Sequence, residues 1–506
     1  MKGKRMKQIL IIFIVTSMGW SQTPDVSFPP VGKIQPRHAN DIDGNTWSVG
    51  AETMDRDYTI YENWKDYLGP LGFKHARIQS GWMKTEPEKG VYDFTWLDEI
   101  IFDMHEQGVK PWVNLAWSNK HYAEWTANNR GRVPKTEEGL KAWAQFVQAL
   151  VARYGHIVDE WEIWNEASPG KIKDPADYVK LVQVTIPAIR SLQPDATIML
   201  FALDHTSFKS IRPQRILNHQ DTPFQHSDDR ESVSKEVWSY LHDPERLQRN
   251  FDYVTFVMDS LKSLGLLDQI DVISYHPYEY NPDDAYQNLA WLREWAAEYA
   301  PHLTLYQGEN GAPSERIEHR GLRGYEWTET TQAKWALRRL LGDLGRDIPS
   351  SYFGIMDMFY QEDVNRKGLL YANPDKTVHH KKKSYHALQN MAAIFDNRLQ
   401  RIEHYPSQFQ ELPLSLFGYE NKYSYNQIVT LWLHDQVPQE SNEKIDIDLT
   451  LFEGRFDDPV YVDLLTGEVF DIPEKNWQKR GTVYEFSDIP VYDSPVLIAE
   501  KSLLPL

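Results

Sequence analysis

Cysteine is absent from this 506-residue sequence. Without thiols the chain can form no disulfide bridge and no metal site with thiolate ligands. The lipid-bearing cysteine of a bacterial lipoprotein is excluded for the same reason. Stability and chemistry must therefore come from packing, hydrogen bonding and side chains other than thiols.

Long apolar runs are also missing after residue 21. Residues 1–21 begin with basic side chains, continue through the short apolar run 9–15 and end in small and polar residues. That order is typical of a secretory signal peptide. A membrane anchor is the alternative, but the run is far shorter than the roughly 20 apolar residues of a membrane span. We therefore expect cleavage near residue 21, no membrane anchor, and a secreted or periplasmic protein.

Positive charge is scarce, because 54 Lys and Arg residues stand against 73 Asp and Glu residues, for a formal net charge of −19. Such a surface repels phosphate backbones, so we expect no nucleic-acid partner. It also mildly disfavours a strongly polyanionic substrate, although a local basic pocket would override that field.

Residues 46–395 alternate short apolar or β-branched runs with longer segments of helical periodicity. This order predicts βα units and a parallel sheet. Eight such units favour a (β/α)8 TIM barrel. An open doubly wound sheet is the alternative, but no GxGxxG or GxxxxGK[ST] loop follows any strand. We predict barrel strands at 46–50, 74–79, 110–115, 160–165, 197–201, 271–276, 304–307 and 352–359.

Two of the intervening helices are predicted from apolar stripes. Residues 58–71 and residues 137–154 both place large apolar side chains at helical spacing. The connection 204–269 is unusually long and is polar around 219–231. We interpret it as an insertion that shapes the mouth of the pocket, with a partly mobile loop as the alternative.

The pattern changes after residue 395. Residues 445–451 alternate strictly between apolar and polar side chains, and further β-rich runs follow. This predicts a half-buried antiparallel sheet and hence a β-sandwich. We expect the sandwich to pack against the barrel, with carbohydrate binding as the alternative role. The predicted organisation is a signal peptide at 1–21, a leader at 22–45 that can pack on the sandwich, a catalytic barrel at 46–395 and an accessory sandwich at 396–506.

Functional side chains of such barrels lie where the strands end at the carboxyl face. The fourth predicted strand runs into Glu166 and the seventh into Glu309. Strand four lies across the barrel mouth from strand seven, so both carboxylates can point into one pocket. Glycoside cleavage needs such a pair, one acid to protonate the leaving oxygen and one carboxylate to attack or to activate water. Most acidic residues are merely solvated surface charges, but two at matching strand ends favour catalysis.

The surroundings of this pair resemble a known family group. Trp-Asn-Glu at 164–166 and Gly-Glu-Asn-Gly at 308–311 resemble the paired motifs of clan A glycoside hydrolases. The resemblance implies that Glu166 is the acid/base and Glu309 the nucleophile. It also implies that Asn165 hydrogen-bonds the 2-hydroxyl of the sugar, an interaction that strengthens in the transition state.

Three further strand ends agree with this resemblance. Arg77 in strand two matches the basic residue that keeps the nucleophile ionised. A structural ion pair in the barrel wall is its alternative role. Strand six ends in His276 and Tyr278, either of which matches the residue that contacts substrate and nucleophile. Strand eight carries Phe359 where many clan members have a tryptophan that forms the floor of the sugar subsite. The residue that forms this floor is therefore undecided.

The segment 86–98 resembles one shared by clan A families that act on xylosides, galactosides and iduronides. After strand three, Trp117, Lys120 and His121 line up with a substrate-contact loop of those families. With the sandwich and a closing helix at 381–395, the chain is most similar to glycoside hydrolase family 39, the xylosidase and iduronidase family. The adjacent His379 and His380 lack any HExxH or spaced ligand set, so we interpret them as a solvated helix start and expect neither metal nor cofactor.

These observations predict a secreted retaining glycoside hydrolase with a carbohydrate partner and a double-displacement mechanism. Plant or algal oligo- or polysaccharide is the expected substrate, and a β-xylosidase-like or related exo-glycosidase is the expected type. Glu166 would need a raised pKa and Glu309 a pKa kept low by Arg77. A transglycosylase of the same fold and a noncatalytic carbohydrate-binding protein are the alternatives.

Overall fold

The computed structural model describes residues 26–125, 131–212, 243–360 and 363–506. The predicted signal peptide and the polar stretch 219–231 lie outside these residues. A first strand, β1 (Pro30–Lys33), precedes the barrel and pairs antiparallel with a strand of the C-terminal region. The leader therefore contributes an edge strand to the C-terminal sheet.

Eight parallel strands form a closed barrel, which confirms the predicted fold class. The barrel closes where Trp47 of its first strand pairs with Ser350 of its last. Side chains of these strands are almost all buried, as expected for strands covered on both faces. The strands are β2 (Trp47–Gly50), β3 (His75–Gln79), β4 (Lys110–Leu115), β5 (Glu160–Ile163), β6 (Thr197–Leu203), β7 (Val272–Tyr275), β8 (Thr304–Asn310) and β9 (Ser350–Tyr352).

Helices cover the barrel and follow the expected local signals. The Thr136 side chain accepts a hydrogen bond from the Gly139 amide, which caps one helix at its start. Thr328 and Thr331 form a capping box at another. The described helices are α1 (Trp82–Thr85), α2 (Thr95–Glu106), α3 (Glu137–Tyr154), α4 (Pro175–Arg190), α5 (His205–Ser210), α6 (Pro244–Ser263), α7 (Ala285–Tyr299), α8 (Glu329–Leu344) and α9 (Lys383–Ile394).

The predicted helix at 58–71 is wrong in type. The segment consists of three short 3-10 turns, at Tyr61–Asn63, Lys65–Tyr67 and Gly69–Leu71. Pro70 has no amide hydrogen to donate and Gly72 has a φ of 83°, so a continuous α-helix cannot run through this end. Trp64, Leu68 and Leu71 are nevertheless buried, because the spacing of apolar residues indicates which side chains face the core and not which type of element carries them.

The eighth barrel strand is shorter and earlier than the predicted range 352–359. After β9 the chain leaves the barrel, and β10 (Met358–Phe359) pairs antiparallel with β11 (Val364–Asn365). Ile355 and Met356 between them are buried as deeply as strand residues. Apolar residues therefore continue beyond the end of β9, so the sequence pattern does not reveal where the strand ends.

The connection 204–269 is not a loop throughout. Its described parts form α5 and the 20-residue helix α6, and residues 213–242 lie outside the description. Helix α6 was not predicted because most of its residues are polar. Its buried stripe includes Tyr253, Val254 and Val257. Within the described ranges, none of the helices combines the length and apolar character that a membrane crossing requires.

The C-terminal region consists of two larger antiparallel sheets, of seven and four strands, that enclose a second apolar core. Residues 445–451 form one strand of the smaller sheet, with Ile447, Leu449 and Leu451 facing that core. A short hairpin, β12 (Leu370–Ala372) and β13 (Val378–Lys381), precedes α9. The remaining strands are β14 (Leu399–Ile402), β15 (Ser407–Phe409), β16 (Leu414–Asn421), β17 (Gln427–Leu433), β18 (Ile445–Leu451), β19 (Pro459–Asp463), β20 (Glu468–Asp471), β21 (Trp477–Arg480), β22 (Val483–Val491) and β23 (Val496–Glu500).

Candidate active site

The chain turns sharply at the end of β5, where the first predicted carboxylate lies. Trp164 and Glu166 both have left-handed backbone conformations, with φ of 66° and 54°. Residues other than glycine rarely occupy this region, and those that do cluster at functional sites. The turn brings Glu166 to the wall of a cavity of about 370 Å³ at the carboxyl ends of the strands. Glu309, near the end of β8, lines the same cavity.

Glu166 and Glu309 meet beside His276. One carboxylate oxygen of each glutamate and one ring nitrogen of His276 lie within 4.8 Å of one another. His276 Nδ1 lies 3.2 Å from Glu166 Oε1 and 3.8 Å from Glu309 Oε2. A substrate bond held between the glutamates would therefore face both carboxyl groups at once.

Glu309 is held by two hydrogen-bond donors. Arg77 Nη1 donates to its Oε2 at 3.0 Å, and the Tyr278 hydroxyl donates to its Oε1 at 2.7 Å. Both oxygens therefore have a fixed partner. Sequence left open whether His276 or Tyr278 meets this residue, and the structure brings both to it.

Arg77 is fully buried and is the centre of a charge network. Besides Glu309, its guanidinium donates to Glu52 at 2.6 Å, to Glu162 at 3.0 Å and to the Asn165 side-chain oxygen at 2.8 Å. The contact with Glu309 has the geometry expected of a residue that keeps that carboxylate ionised. The contact with Glu162 is the barrel-wall ion pair considered as its alternative role.

Three carboxyl groups share this one guanidinium, and the pKa of one of them, Glu52, is strongly raised. Burial, together with the charges of Glu309 and Glu162, raises the pKa of Glu52 to about 8 against the pull of Arg77. Glu52 is therefore mostly protonated at neutral pH.

The pKa of Glu309 is lowered from its ordinary value. Burial by itself raises it, but His276, Arg77, the Tyr278 hydroxyl and Lys171 outweigh that effect. Burial also lowers the pKa of His276 to about 4, which leaves its imidazole neutral at pH 7. We therefore assign the low pKa of Glu309 mainly to the guanidinium and the hydroxyl that touch it.

Glu166 has a different set of partners. Its Oε1 faces His276 Nδ1, and its Oε2 forms an ion pair with Lys171 in the loop that precedes α4. The Lys171 side chain is 30% exposed and that of Glu166 17%, so this pair is open to the cavity. No pattern along the chain pointed to Lys171.

Trp117, after β4, lines the cavity as the sequence suggested. It packs edge to face against Trp164, with ring centroids 5.7 Å apart. Lys120 lines a neighbouring cavity of about 380 Å³ that shares Arg56 and Trp117 with the first. A contact between Lys120 and substrate thus stays a prediction for a ligand long enough to reach the second cavity.

His121 and Phe359 are not among the described residues that line the main cavity. His121 is exposed, and its Nε2 lies 3.0 Å from the Pro87 carbonyl oxygen. Phe359 lies in β10 and packs against the barrel core. Phe353 and Tyr360 line the cavity in its place, because the early end of β9 changes which residues face the mouth.

Sequence reasoning missed several charged members of the site, among them three that contact Arg77 or Glu166. Glu52 follows β2 by two residues and was detectable by the same strand-end rule, had strand one been inspected for it. Glu162 was detectable as a charged residue inside a buried barrel strand. Lys171 carried no signal, because its position depends on how a loop folds back.

Glu166, His276 and Glu309 are also residue types that can hold a metal ion. The positive charges of Arg77 at Glu309 and of Lys171 at Glu166 disfavour a further cation between them. The arrangement is better suited to moving protons and to carboxylate chemistry.

Residues 71–223 match the family described as glycosyl hydrolases family 39. This range includes β3, β4 and β5, and therefore Arg77, Trp117 and Glu166. Glu309 lies outside the matched range. The sequence resemblance to family 39 is confirmed over these residues.

Solved structures share the fold at low identity. A family 39 glycoside hydrolase from the gut symbiont Bacteroides cellulosilyticus WH2 is 17% identical with a TM-score of 0.56, covering 90% of this chain and 81% of that one. A GH39 enzyme from Xanthomonas axonopodis pv. citri is 14% identical with a TM-score of 0.55, covering 93% and 95%. A monomeric beta-xylosidase from Caulobacter crescentus CB15 is 15% identical with a TM-score of 0.52, covering 93% and 98%.

The similarity to these solved structures shows the fold. The family match over residues 71–223 supports the cleavage of glycosidic bonds. The pair of glutamates at the carboxyl ends of the fourth and seventh barrel strands is an observation on this structure alone. The family match and the barrel support an O-glycosyl hydrolase, the enzyme class expected from the sequence.

Proposed function

We propose that this protein is a retaining glycoside hydrolase in which Glu309 is the nucleophile and Glu166 the acid/base. The observation that carries the proposal is that one carboxylate oxygen of Glu166 lies within 4.8 Å of one carboxylate oxygen of Glu309. Retaining enzymes hold this pair about 5 to 5.5 Å apart, whereas inverting enzymes leave room for a water at about 6.5 to 9.5 Å. The short separation therefore favours direct attack by a carboxylate.

In the first step, Glu309 Oε attacks the anomeric carbon while the bond from that carbon to the leaving oxygen breaks. The leaving oxygen takes the proton of Glu166, and a glycosyl ester forms on Glu309. In the second step, water gives a proton to Glu166 and its oxygen attacks the anomeric carbon. The ester then breaks and the carboxylate of Glu309 is restored.

The surroundings of the two glutamates suit these roles. Arg77 and Tyr278 hold Glu309 ionised and oriented, which a nucleophile needs. Asn165 lies in the cavity wall and is positioned by Arg77, so its amide nitrogen is available to a sugar hydroxyl. Trp117 offers an aromatic wall on which a sugar ring can pack.

The substrate in this proposal is an oligo- or polysaccharide of plant or algal origin. A β-xylosidase-like or related exo-glycosidase agrees with the named activity of the Caulobacter crescentus structure. We also propose that the enzyme acts outside the cytoplasm, because residues 1–21 have the order of a signal peptide.

The direct test is to trap the intermediate with activated 2-fluoro glycosides of several sugars, followed by peptide mass spectrometry. We expect the label on Glu309 and, with ordinary substrates, first-formed products that keep the anomeric configuration by NMR. A label on another residue, or products of inverted configuration, would contradict the assignment.

A further inference from the structure

Two tyrosine side chains of the sandwich are strongly exposed. Tyr423 is 79% exposed and Tyr425 51%, and no other large apolar side chain within the described ranges is as exposed as Tyr423. Both lie in the short connection between β16 and β17. Neighbouring exposed apolar groups on a protein surface commonly mark a binding site.

The backbone of this connection is fixed. The Asn421 side-chain oxygen accepts hydrogen bonds from the amides of Tyr423 and Ser424, at 2.9 Å and 3.1 Å. Tyr425 has a left-handed φ of 62°, and the Arg455 guanidinium lies over its ring, 5.5 Å from the centroid. The turn that carries the two rings is therefore ordered before any ligand binds, which lowers the entropic cost of binding.

A cavity of about 260 Å³ lies beside this turn, where the sandwich meets the amino-terminal end of the barrel. Lys422 of the turn donates to the Asn397 carbonyl oxygen at 2.7 Å, and Asn397 lines the cavity. The buried members of the wall include the aromatic side chains of Trp47, Phe395 and Tyr419. Other members are exposed, so the cavity opens to solvent; they are Thr46, Asp347, Asn397 and Gln400.

Two buried donors in this wall have no hydrogen-bond partner among the residues that the structure describes. They are Nε1 of Trp47 and the hydroxyl of Tyr419, and the two residues are only 1% and 2% exposed. The Tyr419 ring packs edge to face against Phe395, with centroids 5.2 Å apart, which holds its hydroxyl in place. Buried donors are normally paired, so a ligand that brings acceptors into this cavity would be stabilised.

The three charged residues of the cavity wall are already paired. Asp347 forms an ion pair with Arg401, and Asp396 forms ion pairs with Arg37 and Arg398. A neutral ligand with several hydroxyl groups therefore suits this wall better than an ion. A sugar residue has these properties, since its apolar face packs on aromatic rings and its hydroxyl oxygens accept hydrogen bonds.

We propose that the turn 421–426 and the cavity beside it form a second, noncatalytic site that binds a neutral polysaccharide. One sugar residue occupies the cavity and accepts hydrogen bonds from Trp47 and Tyr419, and the chain continues over Tyr423. The site lies at the opposite end of the barrel from the catalytic cavity, so it holds a long chain near the enzyme without blocking catalysis. This inference goes beyond the proposed function and rests on it only for the origin of the chain, plant or algal polysaccharide.

The test measures binding by the full chain carrying Glu309→Gln, so that no polysaccharide is cleaved during the experiment. The probes are soluble arabinoxylan, arabinogalactan, xyloglucan and desulfated carrageenan, each cast into a native gel in which retardation gives Kd. We expect at least one to bind. Changing Tyr423→Ala and Tyr425→Ala together should weaken that binding about tenfold, because the contacts of two aromatic rings are lost. Phe256→Ala, which removes an exposed ring from α6, is the matched control and should leave Kd unchanged.

Tyr419→Phe tests the cavity separately. It keeps the ring and removes only the hydroxyl without a partner, so Tm should stay the same or rise. Kd for the bound polysaccharide should increase about threefold to tenfold, the effect of losing one hydrogen bond. Tyr461→Phe is the matched control, because its hydroxyl donates to the Pro490 carbonyl oxygen at 3.0 Å inside the sandwich. That change should lower Tm and leave Kd unchanged.

The same exposed tyrosines should affect catalysis only on long chains. With Glu309 intact, the double tyrosine change should lower kcat/KM for the bound polysaccharide about tenfold and leave kcat/KM for an aryl glycoside unchanged. An equal loss on both substrates would contradict a separate site, since it indicates a general structural defect.

Failure of all four polysaccharides to bind, or binding that the double tyrosine change does not alter, would overturn the inference. A lower Tm with unchanged Kd in Tyr419→Phe would also overturn it, because the hydroxyl would then bond only to a buried water. These outcomes leave the hydrolase intact. A fluoro glycoside label that misses Glu309 would instead overturn the proposed function and leave the second site standing.

Discussion

The two sides of the catalytic cavity differ in how firmly they hold their carboxylate. On the side of β8, Glu309 has a buried guanidinium on one oxygen and a phenol on the other. On the side of β5, Glu166 faces a buried neutral imidazole and a partly exposed lysine. Arg77 beside Glu309 is fully buried, whereas Lys171 beside Glu166 is partly exposed.

This difference suits the double displacement that we propose. A nucleophile keeps one protonation state throughout, whereas an acid/base residue must lose a proton and regain it within each turnover. The buried guanidinium and the phenol beside Glu309 suit the first task, and the more open surroundings of Glu166 suit the second. The comparison can be tested by removing groups from each side in turn.

The largest effect is expected for Glu309→Gln. An amide cannot form the glycosyl ester, so kcat should fall by about 10⁴-fold or more. Hydrolysis of the best aryl glycoside measures this loss, and Glu298→Gln on the exposed face of α7 is the matched control. Retention of even a tenth of the activity would remove Glu309 from the proposed role.

A smaller and substrate-dependent loss is expected for Glu166→Gln. General acid catalysis contributes about 10²-fold to 10⁴-fold, so kcat/KM for poor leaving groups should fall within that range. Leaving groups that depart without a proton, such as dinitrophenolate, should be affected much less in the first step. A series of aryl glycosides of graded leaving-group pKa measures this, and a loss independent of leaving group would contradict the acid role.

Arg77→Met should destabilise the fold as well as the reaction. It leaves the buried carboxylates Glu162 and Glu309 without their cation, a change that typically costs about 3 to 5 kcal/mol. Chemical denaturation gives the free energy of unfolding. Arg153→Met removes a more exposed pair with Asp98 and should cost only about 0 to 1 kcal/mol, so equal losses in both variants would show that the network adds no special stability.

The smallest effect is expected for Glu52→Gln, and it should depend on pH. The folded-state pKa of Glu52 is raised to about 8 from an ordinary value of 4.5, so burying the protonated form adds stability below pH 4.5 that is lost as pH rises towards 8. Glutamine stays neutral and avoids this loss. The Tm of the variant should therefore approach that of the parent at pH 5 and exceed it at pH 9. A difference in Tm that is the same at both pH values would show that Glu52 does not have the raised pKa.

Much of the barrel could be predicted because βα periodicity is a local property of the chain. Seven predicted strands agree with β2 to β8 to within three residues at either end. The errors share a cause, since burial continues where regular structure stops. Leu71 is buried in a 3-10 turn and Met358 lies beyond the barrel strand, and no pattern of apolar residues distinguishes these from helix or strand.

The sequence by itself determined the closed barrel and the positions of Glu166 and Glu309 at its carboxyl face. Strand order and strand ends are enough for this, because parallel strands in a barrel deliver their last residues to one rim. Only the tertiary structure decided that Arg77 forms ion pairs with Glu52, Glu162 and Glu309, and that Lys171 forms one with Glu166. Electrostatic partners depend on distances of a few ångströms between residues far apart in the chain, and burial then sets how strongly those charges act.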